Sequence, residues 1–119
     1  MSSGIASEKE LKNYLESQGY FIVRSDKSEG AFDLVAIRDG PPELVQVKST
    51  SKDKLYINKM ERDAIKKISE QIRIKPILAV KIKDCWLKCD FVEVLREDVK
   101  SISMKTPKEI CEKIKGECD

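Results

Sequence analysis

The chain has 119 residues, 40% of them hydrophobic and 37% charged, and its formal net charge is only +2. This length suits one domain, residues 1–119, with a substantial core, and no apolar run approaches the roughly 20 residues that a membrane span needs. The chain contains no histidine, which excludes His-based catalytic triads and His-ligated zinc and leaves any chemistry to carboxylates, lysines and thiols.

The spacing of apolar residues predicts eight elements in the order α-β-β-β-α-β-β-α. A capping box from Ser7 to Glu10 predicts the start of the first helix, and Gly19 predicts its end. The later elements are strands at 20–23, 31–37 and 44–48, a helix at 57–72, strands at 77–82 and 86–94, and a helix from Thr106 in a peripheral segment, 96–119. This order predicts an α/β fold with a central mixed β-sheet flanked by helices.

The cysteines and the N-terminus bear on the cellular compartment. Residues 1–7 are small and polar and lack a hydrophobic signal region, so secretion is not expected. The four cysteines form no CxxC pair, and they are Cys85, Cys89, Cys111 and Cys118. We therefore expect a cytoplasmic protein with mostly free thiols, and a disulfide or an adventitious metal site is the alternative.

The small net charge conceals an asymmetry along the chain. Residues 48–83 carry eleven basic and four acidic side chains, a net charge of +7, whereas residues 1–47 and 84–119 carry −3 and −2. Such a segment is either a solvated helix face or the contact surface for a polyanion such as DNA. Its position next to a candidate active site favours DNA.

Three polar residues interrupt the predicted core strands. Asp33 falls in the apolar run from 31 to 37, and Gln46 and Lys48 share one face of the strand from 44 to 48 because side chains alternate along a strand. A buried carboxylate needs a partner or a metal ion. Taken singly, each has an ordinary explanation, since a lysine can extend outward at a strand end and an aspartate can cap a turn.

Together these residues resemble the core of the PD-(D/E)xK nuclease superfamily, in which an Asp and an acidic-x-Lys pair lie on adjacent strands. This resemblance implies a restriction-endonuclease-like fold. Longer segments, within roughly residues 4–95, are similar in order and spacing to archaeal Holliday-junction resolvases: Glu8-Lys9-Glu10-Leu11, Gly19-Tyr20-Phe21-Ile22-Val23-Arg24-Ser25, Ser28 to Ala36, Val45-Gln46-Val47-Lys48 and Leu78-Ala79-Val80-Lys81.

The resemblance implies a Mg²⁺-dependent endodeoxyribonuclease of DNA recombination and repair, with Mn²⁺ as an alternative ion. The implied metal ligands are Glu8, Asp33, Gln46 and the carbonyl of Val47, and the implied catalytic residues are Glu8, Asp33, Gln46 and Lys48. Gln46 departs from the family, which has an acid there, so the site loses one negative charge. Two hypotheses follow: an active junction endonuclease that tolerates Gln46, and a catalytically weak or inactive relative that binds branched DNA.

The expected DNA contacts lie on the first helix, the loop after the first strand and the start of the basic segment: Lys9, Arg24, Ser25, Lys27, Ser28, Lys52 and Lys54. They would hold phosphates, so recognition should depend on the shape of the DNA and not on its sequence. A four-way junction has two symmetric strands to cut, and the resemblance accordingly implies a homodimer. The dimer interface would use the long helix or the strand around Trp86. The apolar residues of both elements are more simply explained as part of the protein core.

Overall fold

The structure is a computed structural model and describes residues 5–25 and 32–118. Its three helices are α1 (Ile5–Ser17), α2 (Lys59–Ile72) and α3 (Phe91–Arg96). The eight strands are β1 (Phe21–Arg24), β2 (Leu34–Ile37), β3 (Glu43–Thr50), β4 (Lys54–Tyr56), β5 (Lys75–Ile82), β6 (Cys85–Asp90), β7 (Ser101–Ser103) and β8 (Cys111–Gly116). No helix in these two ranges is long and apolar enough to cross a membrane.

Six strands form the central sheet in the order β1-β2-β3-β5-β6-β8, and β4 and β7 form a separate two-stranded ladder. Strands β3 and β5 pair in parallel, while every other pair in the central sheet is antiparallel. Helix α2 lies in the crossover between the two parallel strands, as a parallel connection requires. The predicted α/β fold with a central mixed sheet is confirmed.

The two faces of the sheet carry two separate apolar clusters. On one face, Leu11 and Leu15 of α1 pack against Val45 and Val47 of β3. On the other face, Ile65 of α2 packs with β5, β6 and α3 residues. Alternation along β3 therefore assigns its even-numbered side chains to the α2 face, where Gln46 pairs in register with Leu78 and Lys48 with Val80.

The predicted elements of the first two thirds of the chain are present, with shifted ends. Helix α1 begins at Ile5, so Ser7 lies inside the helix and the predicted capping box is wrong. Gly19, with φ of +93°, follows the helix in the left-handed conformation that ends many helices. Helix α2 begins after Asn58, whose side chain accepts a hydrogen bond from the N–H of Glu61.

The C-terminal third differs most from the prediction. The predicted strand 86–94 ends at Asp90, whose carboxylate caps the short helix α3. The predicted helix from Thr106 is instead a turn, because the N–H groups of Ile110 and Cys111 both donate to the carbonyl of Pro107. The segment 96–119 is therefore not a peripheral helix and tail, since β8 joins the central sheet beside β6.

All four cysteines are paired, so the expectation of mostly free thiols is wrong. Cys89 on β6 lies opposite Cys111 on β8 and is bonded to it. Cys85, at the start of β6, is bonded to Cys118, two residues beyond the end of β8. The alternative of a disulfide, which the sequence left open, is the one observed.

Candidate active site

Asp33 lies immediately before β2, at the point where the chain enters the sheet. It is half-buried, and its Oδ2 accepts a hydrogen bond of 2.7 Å from the N–H of Val47 on β3. Its own N–H donates to the carbonyl of Val45, and its carbonyl accepts from the N–H of Ser25. Asp33 therefore precedes the strand in which it was predicted, and its carboxylate is held against the backbone between Gln46 and Lys48.

Gln46 and Lys48 occupy the α2 face of β3, as alternation predicted. Both line one small cavity, whose other walls come from β4, α2, β5 and α3. The ammonium of Lys48 is bonded to the carboxylate of Glu61 on α2, and the Lys48 side chain is only 16% exposed. Lys48 is therefore fixed in this cavity on the α2 face and does not extend into solvent.

Glu8 approaches Asp33 from α1, the helix that covers the other face of the sheet. Its pKa is raised, first by burial and second by the negative charge of Asp33. The guanidinium of Arg24 lies 3.5 Å from Glu8 Oε1 and opposes these two effects. The structure thus brings two predicted metal ligands close enough for their charges to repel, with one predicted DNA-binding arginine beside them.

The donors around Asp33 fit a divalent cation of the magnesium type. Mg²⁺ prefers hard oxygen ligands and commonly binds one or two carboxylates with water and phosphate. Glu8 and Asp33 supply carboxylates, and their mutual repulsion would be relieved by a bound cation. In the described part of the chain, however, no three acidic or cysteine side chains are gathered into a metal site. The described structure therefore places no other carboxylate beside Glu8 and Asp33 to replace the acid that the family has at position 46.

A groove of about 650 Å³ opens beside this site. Its walls include Ser7, one residue before Glu8, and the β3 end from Ser49 to Ser51, which directly follows Lys48. Lys81 and Lys83 of the basic segment also line it. Hydroxyl and ammonium groups are suitable donors to phosphate oxygens.

The basic segment is less uniformly positive than its composition indicates. Within the described ranges, five of its basic side chains are in ion pairs with acidic ones, namely Lys48, Arg62, Lys75, Lys81 and Lys83. Of the predicted DNA contacts, Lys9, Lys52 and Lys54 are exposed, while Arg24 and Ser25 are half-buried. Lys27 and Ser28 lie outside the described residues.

A family model described as archaeal Holliday junction resolvase, Hjc, matches residues 1–116. The chain belongs to the archaeal Holliday junction resolvase family. A crossover junction endodeoxyribonuclease Hjc from Methanocaldococcus jannaschii is 41% identical over 78 residues, which make up 66% of this chain and 58% of that protein. The aligned part is therefore less than two thirds of that relative.

The solved structure of Hjc, a Holliday junction resolvase from Archaeoglobus fulgidus, matches with a TM-score of 0.66 and 19% identity. The match covers 93% of this chain and 82% of that one, so the two proteins share a fold. Nucleases of the Holliday junction resolvase family work with divalent metal ions, which agrees with the oxygen donors around Asp33.

The tertiary contacts of two acidic residues near this site were not expected from the sequence. Glu61 follows Asn58 by three residues, the spacing of a capping box, but its carboxylate is bonded to Lys48. Glu10 was expected to close a capping box with Ser7, but its carboxylate is bonded instead to Lys81, Trp86 and Lys115. Neither contact can be read from local spacing because the partners are distant in sequence.

Proposed function

We propose that this chain is a metal-dependent endonuclease that cleaves four-way DNA junctions by phosphodiester hydrolysis. The observation that carries the proposal is the family match over residues 1–116. The site supports it, because Asp33 is hydrogen-bonded to β3 between the two polar residues of the motif. The proposed substrate is branched DNA, and the proposed ion is Mg²⁺, with Mn²⁺ as a substitute.

In this proposal each side chain has a separate task. Asp33 and Glu8 would hold a divalent cation, together with the amide oxygen of Gln46 and the carbonyl of Val47. Such an ion would polarise the phosphate and lower the pKa of the attacking water. Lys48 orients the water and offsets negative charge as it builds on the phosphate.

Phosphates on either side of the cleaved bond would be held by the surrounding basic and hydroxyl groups. Arg24 is suited to this because its planar guanidinium donates two hydrogen bonds to one phosphate, and its Nε has no acceptor among the described residues. We propose that the groove from Ser49 to Ser51 carries the adjoining backbone. Lys9, Ser25, Lys27, Ser28, Lys52 and Lys54 remain proposed DNA contacts.

We also propose that the protein works as a homodimer in the cytoplasm. One site cuts one strand, so paired cuts in a symmetric junction need two sites related by a two-fold axis. The disulfides are compatible with a cytoplasmic protein of a hyperthermophile, the group in which intracellular disulfides are common.

The test is cleavage of a synthetic four-way junction in Mg²⁺, with a linear duplex of the same sequence as the control substrate. We expect paired nicks from the parent protein and a rate loss of at least about 100-fold for Asp33→Asn and for Lys48→Ala. Asp39→Asn, the same change at an exposed position, should leave the rate unaltered. A parent protein that binds the junction no better than the duplex would contradict the proposal.

The second candidate function, a branched-DNA-binding relative without nuclease activity, is favoured by one observation, the amide at position 46. The same assay separates the two functions through Gln46→Glu. If the parent binds the junction without nicking it and Gln46→Glu restores paired cuts, the protein is a binding module. Nicking by the parent supports the nuclease.

A further inference from the structure

The Lys48 ammonium requires a negative partner, and Gln46 does not provide one. Lys48 is only 16% exposed, and a cation removed from water is costly unless it is paired. An acid at position 46 would stand two residues away on the same strand face. The amide there is neutral, so the charge has to come from another element.

Glu61 supplies a carboxylate at this place. It projects from the first turn of α2, where Asn58 Oδ1 accepts its backbone N–H at 2.8 Å and fixes the start of the helix. Its side chain is 26% exposed and is bonded to Lys48. Glu61 and Gln46 line the same cavity together with Lys48.

We infer, on the basis of the function proposed above, that Glu61 takes over the electrostatic role of the acid missing at position 46. Glu61 is a positioning residue, since it acts through Lys48 and through the charge that it adds to the site. Among the described residues Glu61 is not clustered with Glu8 and Asp33, so it contributes its charge from beyond Lys48. With Glu61 included, the charges of Glu8, Asp33, Glu61 and Lys48 sum to −2, the value that an acid at position 46 would have produced. A site of this charge attracts a divalent cation more strongly than one of −1.

The experiment is a double-mutant cycle on Glu61→Gln and Gln46→Glu, read out as Mn²⁺ affinity of the protein alone by titration calorimetry. We expect Glu61→Gln to weaken Mn²⁺ binding by about tenfold. Gln46→Glu should strengthen Mn²⁺ binding more in the Glu61→Gln variant than in the parent. Only the Glu61→Gln variant lacks the negative charge that a glutamate at position 46 would restore. The double variant should return to within about threefold of the parent.

Asp63→Asn is the matched control, since Asp63 lies two residues along the same helix, is exposed and carries the same charge. It should leave Mn²⁺ affinity unchanged. Thermal unfolding of each variant reports whether it folds, and Gln46→Glu in the parent supplies a second measurement if Glu61→Gln is unstable. In that case, the inference is overturned if Gln46→Glu raises the Mn²⁺ affinity of the parent by about tenfold or more. Such an increase would mean that Glu61 does not supply the missing negative charge in the parent.

The inference is overturned if the effects of Glu61→Gln and Gln46→Glu on the free energy of Mn²⁺ binding are additive. It is also overturned if Glu61→Gln binds Mn²⁺ as tightly as the parent. A loss in Glu61→Gln that Gln46→Glu does not repair also overturns it, because Glu61 would then have only a structural role. The failure of the proposed function is a different result. If no variant cleaves junctions while the Mn²⁺ cycle is coupled as expected, junction cleavage is wrong and the role of Glu61 stands.

Discussion

Glu10 joins α1 to three strands through one carboxylate. Its Oε1 accepts from Lys81 Nζ at 2.6 Å, and its Oε2 accepts from Trp86 Nε1 at 2.9 Å and from Lys115 Nζ at 3.3 Å. The hydrogen bond from Lys81, followed by that from Trp86, lowers the pKa of Glu10 to about 2. The charged form of Glu10 therefore stabilises the packing of α1 on the sheet beside the candidate site.

Glu10→Gln should lower the free energy of unfolding at pH 7 by about 1–2 kcal/mol. This value is at the low end of what hydrogen bonds to a charged group contribute to stability. The low end applies because a third of the side chain, 33%, is exposed. Since the folded pKa lies below the ordinary value of 4.5, this stabilisation is complete above pH 4.5 and is lost as the pH falls toward 2.

Urea unfolding of the parent and of Glu10→Gln at pH 7 and pH 3 measures this difference, which should narrow at pH 3. Glu16→Gln, on the same helix in an exposed pair with Lys12, is the control and should change stability little at either pH. An equal difference between the parent and Glu10→Gln at both pH values would show that the Glu10 carboxylate is not the titrating group.

Gly116, the last residue of β8, lies against the turn between β5 and β6. Its φ is +94°, and a Cβ there would lie 1.9 Å from the carbonyl oxygen of Asp84. Gly116→Ala should reduce the free energy of unfolding by about 2–3 kcal/mol, because it combines a left-handed backbone with a collision against main chain. Gly40→Ala, with nothing within 4 Å, should change it by less than about 0.5 kcal/mol. If thermal unfolding shows equal losses of stability for Gly116→Ala and Gly40→Ala, the backbone at Gly116 does not require glycine.

At the scale of elements, the pairing of β6 with β8 is the feature that organises the C-terminal third. The Cys89–Cys111 disulfide links these two strands, and the Cys85–Cys118 disulfide links β6 to the segment just beyond β8, with sequence separations of 22 and 33 residues. The hydroxyl of Tyr14 on α1 also donates to the carbonyl of Ile114 on β8. Strand β8 is therefore held both to its neighbour in the sheet and to the helix that carries Glu8.

Each disulfide should contribute about 3–4 kcal/mol by restricting the unfolded chain. We expect a reductant to lower the melting temperature of the parent, and Cys89→Ser/Cys111→Ser and Cys85→Ser/Cys118→Ser each to produce part of that decrease. Thiol labelling of the unfolded, unreduced parent is the check on the pairing. Four reactive thiols in that sample would mean that neither bond forms.

At the scale of the whole molecule, three apolar side chains at the β1–β2 edge of the central sheet are left exposed by the described residues. Phe21 and Val23 on β1 are 67% and 46% exposed, and Ile37, which lies opposite Phe21 on β2, is 36% exposed. Trp86 is fully buried, which agrees with its ordinary reading as part of the core. The long helix α2 does expose Met60, at 83%. A second copy of the chain would bury such an apolar surface.

We expect the face formed by Phe21, Val23 and Ile37 to be the dimer interface, because it gathers three apolar side chains. Phe21→Asp should convert a dimer into a monomer in light scattering, with a decrease in affinity of at least about tenfold, since a charge there is buried without a partner. Met60→Asp tests the other surface and should leave the dimer intact. The reverse result would assign the interface to α2.

Local sequence signals were sufficient for much of the fold, as particular elements show. The apolar periodicity that places Ile65 in the core predicted α2, and the apolar run in β5 predicted a buried strand. Thr106 and Pro107 have the residue types of a helix start, but the chain forms a turn there and continues into β8. Tertiary contacts outweigh the local helix propensity here. The segment forms sheet hydrogen bonds, apolar contacts and two disulfides with residues that are distant in sequence.

The sequence by itself determined the family, the mixed sheet and the placement of Gln46 and Lys48 on one strand face, because alternation and the motif are local properties. Only the tertiary structure decided that Asp33 is bonded to the N–H of Val47, that Glu8 approaches Asp33, and that Glu61 is the partner of Lys48. It also decided the pairing of the four cysteines. The physical reason is that electrostatic and covalent partners are set by distance in space, which local sequence patterns do not encode.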